Sequence, residues 1–156
     1  MVNSSPLITL CKSNQEDILP KLFSEIVVPA AVWEEVLAGG ASDPAAQRLP
    51  NLNWARLEDF IGSSPLIQAW DLGAGESEVL TFALSNPEYL AVIDDTAARR
   101  CAKALNISVV GTVGIFVIAK RRNLITKAMP HIETLRDAGL WLADKLIEDL
   151  KQQLGE

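Results

Sequence analysis

The chain has 156 residues, 49% of them hydrophobic, and a formal net charge of −6. That length suits a single domain with a full core, the composition excludes a disordered chain, and the acidity excludes bulk, sequence-independent attraction to nucleic acid while leaving room for a local basic patch. Two cysteines, Cys11 and Cys101, and one histidine, His131, exclude a zinc site at ligand spacing and leave any histidine-dependent triad resting on one residue.

The amino terminus opens with Met1-Val2, the stub of a very short strand ending at Asn3. Ser5-Pro6 starts a helix through Leu7, Ile8, Leu10 and Cys11, with proline suited to a first helical turn. Ile18, Leu19, Leu22 and Phe23 have helical spacing. Residues 25–28 read as a short buried strand, and Pro29 opens a helix over 30–38 that Gly39-Gly40 ends. Residues 41–62 are the least regular stretch, broken by Asp43-Pro44 and Leu49-Pro50-Asn51, with a short strand expected around 54–57. Ser-Ser-Pro-Leu-Ile occurs at 4–8 and again at 63–67, but the flanks differ and no repeat follows.

Gly73-Ala74-Gly75 leads into a strong helix carrying Val79, Leu80, Phe82, Ala83 and Leu84, stopped by Asn86-Pro87. Residues 89–93 form a strand running straight into Asp94-Asp95, and a helix follows through Ala98, Cys101, Ala102 and Leu105. A strand at 107–110 precedes a helix from Gly111-Thr112 to Arg122, and two amphipathic helices near 132–138 and 144–154 close the chain. Apolar strands without polar alternation, alternating with helices, predict an α/β fold with a mainly parallel sheet covered on both faces. Both cysteines lie in apolar, helix-like surroundings and are expected as buried free thiols. The amino terminus lacks a basic stretch followed by a long apolar run, and the run at 109–119 falls far short of the ~20 residues of a membrane span. A cytoplasmic soluble protein with no membrane partner is expected.

Asn3, Glu35, Glu76 and Asp95 all fall where strands and loops give way to helices. Oxygen donors spread this widely can meet at the carboxyl edge of a parallel sheet, where they make a pocket for hard divalent cations. Such a cation site serves phosphodiester cleavage. Each acid also has a plainer role available. Asp94 or Asp95 can cap the following helix, Glu76 sits in a first turn that favours negative charge, and Glu34 and Glu35 face apart on one helix, so only one can look into a pocket. Glu78, two residues beyond Glu76, points to a different face.

In order along the chain come N-S-S-P-L-I from Asn3, V-P-x-x-V-x-E-E-V from Val28, L-G-x-G-E-x-E from Leu72, I-D-D-x-x-A-R from Ile93 and V-x-G-T-x-G from Val109. This ordered set resembles the PIN-domain superfamily, and within it the predicted PIN-like nucleic-acid-binding branch related to VapC-type toxins. The resemblance spans nearly the whole chain and is weakest over 41–68. It implies a PIN-like three-layer α/β/α sandwich with a mainly parallel central sheet. It also implies a Mg²⁺- or Mn²⁺-dependent endoribonuclease, the toxin half of a type II toxin–antitoxin pair, with a small antitoxin protein as partner and a homodimer as the assembly. Carried over by position, Glu35, Glu76 and Asp95 are the catalytic acids. Asn3, Glu35, Glu76, Asp94 and Asp95 are the metal ligands, and Ser5 and Thr112 are the hydroxyls beside them. Asn3 stands where the family's first aspartate usually stands. An amide oxygen still ligates a hard cation but brings no charge, so the alternative is a catalytically weak or inactive module that binds RNA or a protein partner.

Arg99, Arg100 and Lys103 follow the aspartate pair, and Lys120, Arg121 and Arg122 end a neighbouring helix. Arg99, Arg100 and Lys120 are the expected contacts to an RNA backbone. Trp33, Trp54, Trp70 and Trp141 read as core or interface residues before base-stacking platforms, and His131 reads as a surface residue. Leu146, Ile147, Leu150 and Leu154 share one face of the last helix, as a lid on the core or a self-association surface.

Overall fold

A computed structural model of the protein describes residues 1–59 and 62–156; Phe60 and Ile61, in the stretch expected to be irregular, lie outside them. All four residues of β1 (Ile26–Pro29) are buried. Successive strand residues face opposite ways, so burial of every one means that both faces of the sheet are covered. β1 pairs in parallel with β2 (Ala55–Glu58), and β3 (Ala91–Val92) pairs in parallel with β4 (Val109–Val110).

The amino-terminal stub joins the two pairs. Val2 bridges Val92 in parallel, its amide donates to Val27 O at 3.1 Å, and the Asn3 amide donates to Val92 O at 3.0 Å. The strand expected at the extreme amino terminus is reduced to the single bridging residue Val2, set between β1 and β3. The architecture is α/β/α, with short parallel strands between helices.

Helices leave the carboxyl ends of these segments. α1 (Ser4–Lys12) follows the stub and α2 (Ile18–Leu22) leads into β1, from which α3 (Ala30–Leu37) departs. Of two short helices, α4 (Pro44–Arg48) lies in the stretch expected to be irregular and α5 (Pro65–Gln68) lies beyond it, where no element was expected. α4 forms because Asp43 caps it, accepting from the Ala45 and Ala46 amides at 2.9 and 3.3 Å with Pro44 in the first turn. α6 (Ala74–Ser85) precedes β3, α7 (Thr96–Ala104) follows it, and α8 (Thr112–Arg121) follows β4. α9 (Met129–Asp137) and α10 (Asp144–Leu154) complete the chain. The N-termini of α1, α3, α7 and α8 thus open on one edge of the sheet, where orphan backbone N–H groups and their partial positive charge favour anionic side chains.

Cys11 and Cys101 are buried free thiols. Burial first, and Glu16 second, push the Cys11 thiol up to about 12. On α10, Ile147 and Leu150 are buried in the core while Leu146 is 43% exposed, so most of the stripe is a lid. Among the described residues no helix is long and apolar enough to cross a membrane.

The carboxyl terminus closes on the body through Glu156. Its carboxylate accepts from the Ala128 and Met129 amides at the start of α9, each at 2.9 Å, and pairs with Lys120. Burial opposes the charge, but the Lys120 ammonium and the two amides outweigh it and bring the Glu156 carboxyl down to about 2. A folded-state value below the usual one gives stability that is full above pH ~4.5 and lost as pH falls towards ~2. Glu156→Gln should lower stability at neutral pH by about 1 kcal/mol, the scale of a helix cap. That is roughly 2–4 °C in Tm for a chain of this size, and the deficit should shrink through pH 4 to 2 in acid melts.

Candidate functional site

Asn3 ends the central stub and begins α1, yet its side chain makes no cap. It is 1% exposed. Nδ2 donates to Glu76 Oε1 at 2.8 Å, in the first turn of α6. That bond fixes the amide's orientation and leaves Oδ1 buried with no hydrogen-bond partner. Glu35 reaches over from α3. Its Oε1 accepts from the Gly75 amide at 3.0 Å and its Oε2 from Ser4 Oγ at 2.7 Å.

Gly75 shows how close these groups come. A Cβ at residue 75 would lie 2.7 Å from Glu35 Oε2, 2.9 Å from Glu35 Oε1 and 3.0 Å from Asn3 Oδ1. Only glycine leaves that space open. Two carboxylates and an amide oxygen therefore gather around the N-terminus of α6.

α3 and α6 hold each other in register by exchanging carboxylate caps. Glu35 of α3 accepts from Gly75 at the start of α6, and Glu78 of α6 accepts from the Ala31 amide at the start of α3 at 3.0 Å. Glu78 is 5% exposed. Sequence reasoning saw that it pointed away from Glu76 but not that its face was buried; the L-G-x-G-E-x-E spacing, which sets two acids two residues apart at a helix start, was the available signal.

The aspartate pair is engaged elsewhere on the same edge. Asp94 Oδ1 accepts from the Thr112 amide at 2.8 Å and Oδ2 from Thr112 Oγ1 at 2.6 Å, tying the end of β3 to the start of α8. Asp95 caps α7, accepting from the Ala98 amide at 2.8 Å. Asn3, Glu35 and Glu76 are thus brought together. Among the described residues no group of three or more Asp, Glu, His or Cys side chains gathers as a metal site, so neither aspartate joins the two glutamates as a third carboxylate.

Three further expectations are corrected. The hydroxyl on Glu35 belongs to Ser4, while Ser5 is exposed. Lys120 is engaged by Glu156 and Leu154 O at the carboxyl terminus, so its ammonium is already paired. His131 is half-buried, stacked on Phe116 with centroids 5.2 Å apart and bonded through Nδ1 to Gln15 Oε1 at 2.6 Å. Of the tryptophans, Trp33 and Trp54 pack against the core, while Trp70 is 38% and Trp141 84% exposed.

The buried Asn3 Oδ1 tests whether these residues fit a divalent cation. A carbonyl left unpaired in the interior costs about 1–3 kcal/mol, and this one shares its space with a carboxylate, a second acceptor. A hard cation satisfies both at once, and the donor set is all oxygen, as Mg²⁺ and Mn²⁺ prefer. The residues fit the group.

Short parallel strands between helices, with Asn3, Glu35 and Glu76 gathered at one edge, make an α/β/α domain with oxygen donors clustered at its helix ends. The sequence model of the DUF3368 family, described as a PIN domain, matches residues 1–156, and the chain belongs to that family. No curated protein and no solved structure matches it.

Proposed function

We propose that the protein is a metal-dependent endoribonuclease that hydrolyses phosphodiester bonds with Mg²⁺ or Mn²⁺ held by Asn3, Glu35 and Glu76. The observation that carries this reading is the unpartnered, buried Asn3 Oδ1 facing the Glu35 carboxylate across the open space at Gly75. When bound, the cation supplies Lewis-acid polarisation of a phosphoryl oxygen and acidifies a water. The chain supplies rigidity. Ser4 Oγ and the Gly75 amide hold Glu35, and Asn3 Nδ2 holds Glu76. Asp94 fixes α8 through Thr112, and Asp95 fixes the start of α7. Arg99 and Arg100, exposed on α7, stand ready for the phosphates of the strand.

The resemblance to VapC-type toxins supports the further proposal of a toxin with a small antitoxin partner. The exposed Trp141 and Leu146 support self-association near α10. The uncharged Asn3 favours a second reading, a PIN module that binds RNA or a protein partner and cuts weakly or not at all.

Cleavage of a mixed pool of structured RNAs with Mn²⁺, with Mg²⁺ and with EDTA separates the two. The nuclease reading expects cutting that EDTA stops and that Glu35→Gln reduces by at least ~10²-fold, more than the outer partners of a metal ligand carry. No cutting at any cation concentration, with Asn3→Asp gaining activity, establishes the second reading.

A further inference from the structure

Thr96, Arg99, Arg100 and Lys103 follow the i, i+3, i+4, i+7 spacing of one helical stripe. The opposite stripe of α7, with Ala98, Cys101 and Ala102, is buried. The polar stripe does not merely face water. It lines a cavity of about 610 Å³ together with Asp94, Ile107 and Val109.

Three features mark this cavity. First, its cations are unpaired. Among the described residues Arg99, Arg100 and Lys103 enter no ion pair, as Lys21, Arg121 and Lys127 do not, but here three such cations share one cavity. The cavity's one carboxylate, Asp94, has both oxygens bonded by Thr112. Like charges at these spacings repel, so the stripe is held against a cost that an anion would remove.

Second, the floor is apolar: Ile107 is 7% exposed and Val109 is half-buried. A bare anion site has no use for such a floor, whereas a nucleotide brings a phosphate and a flat ring together. Third, the cavity and the Asn3 site open from neighbouring segments of the sheet. The Val2–Val92 bridge sets Asn3 beside Ile93, the residue before Asp94. A Cβ at Gly111 would lie 2.7 Å from Arg99 Nη1 and 2.9 Å from Asp94 Oδ1, so the guanidinium lies over the turn that Asp94 anchors.

We propose that the α7 cavity seats one nucleotide of the bound strand next to the cleavage pocket, its phosphate held by Arg99, Arg100 and Lys103 and its base against Ile107 and Val109. This deepens the nuclease reading and rests on it for the identity of the strand. Arginine grips a phosphate by paired N–H bonds that lysine cannot reproduce. Arg99 and Arg100 therefore carry most of the recognition.

The test is an NMR titration of the full chain in EDTA, where no cation is bound and nothing is cut. The probes are uridine 5′-monophosphate, adenosine 5′-monophosphate, uridine and inorganic phosphate. Both monophosphates should shift the amides of 96–110 and leave those around Gly75 in place. Uridine and inorganic phosphate should each bind about tenfold or more weakly than the monophosphates. R99Q/R100Q should lose monophosphate binding by about tenfold or more with an unchanged Tm. Inorganic phosphate binding as tightly as the monophosphates overturns the nucleotide pocket, and unmoved α7 amides overturn the site. Failure here leaves RNA cleavage with Mn²⁺ untouched. Monophosphate binding at α7 by a protein that cuts no RNA would count against the nuclease reading alone.

Discussion

Gly75→Ala should weaken the proposed divalent-cation binding at least ~10²-fold while leaving the fold intact. The new methyl group would enter the space shared by both Glu35 oxygens and Asn3 Oδ1, 2.7 to 3.0 Å from each. Asn3 is buried and tied to Glu76, so Glu35 is the group that gives way. It then surrenders its bonds to Ser4 and to the residue 75 amide. Losing those bonds costs stability, but alanine returns about 0.5–1 kcal/mol over glycine inside a helix, so Tm should move by only a few degrees. Removing one carboxylate from a cation is a far larger effect: a unit pair at ~4 Å is worth about 4 kcal/mol at an effective dielectric near 20, before desolvation. Mn²⁺ affinity by calorimetry should fall at least ~10²-fold. Affinity equal to the parent protein's would remove Gly75 and Glu35 from the cation site.

Asn3→Asp should divide the protein's behaviour by cation. Without metal, the new carboxylate lies buried beside Glu76 and close to Glu35, and the bond from Nδ2 to Glu76 is gone. An uncompensated buried charge costs about 3–5 kcal/mol, roughly 6–20 °C in Tm at this chain length. With Mn²⁺ the same charge becomes a ligand. Binding should tighten by ~10²-fold or more, and saturating Mn²⁺ should recover the lost stability by mass action. A variant that melts like the parent in EDTA, and gains nothing from Mn²⁺, would show that residue 3 does not face the site.

The elements that the sequence made plain are those whose signals are local. The all-apolar run before Pro29 gives β1 and α3, and Gly73-Ala74-Gly75 followed by helical spacing gives α6. α4 and α5 span 5 and 4 residues, less than two helical turns, so no period can show itself. The strand expected over 89–93 shrinks to Ala91–Val92, because Tyr89 closes a turn back to Asn86 O and hydrogen-bonds to Glu25.

The site divides in the same way. Asn3 and Glu76 stand where helices begin, as expected, whereas Glu35 lies in the last turn of α3 and reaches back to the Gly75 amide. Which oxygens are already committed is not legible. Asp94 is occupied by Thr112 from 18 residues away, and Asp95 by its own helix. Ser4 supplants Ser5 because α1 begins one residue earlier than the proline placed it, turning the helix by one position. His131 packs inward because Phe116 and Gln15, remote in sequence, provide a stacking face and an acceptor.

The most direct test of the account is where a cation binds. Crystals soaked in Mn²⁺, measured for anomalous scattering, should show a peak touching Asn3 Oδ1, Glu35 and Glu76 in the space that Gly75 leaves open. A peak lying instead against Asp94 and Asp95, or none there at full Mn²⁺ occupancy elsewhere, would contradict it.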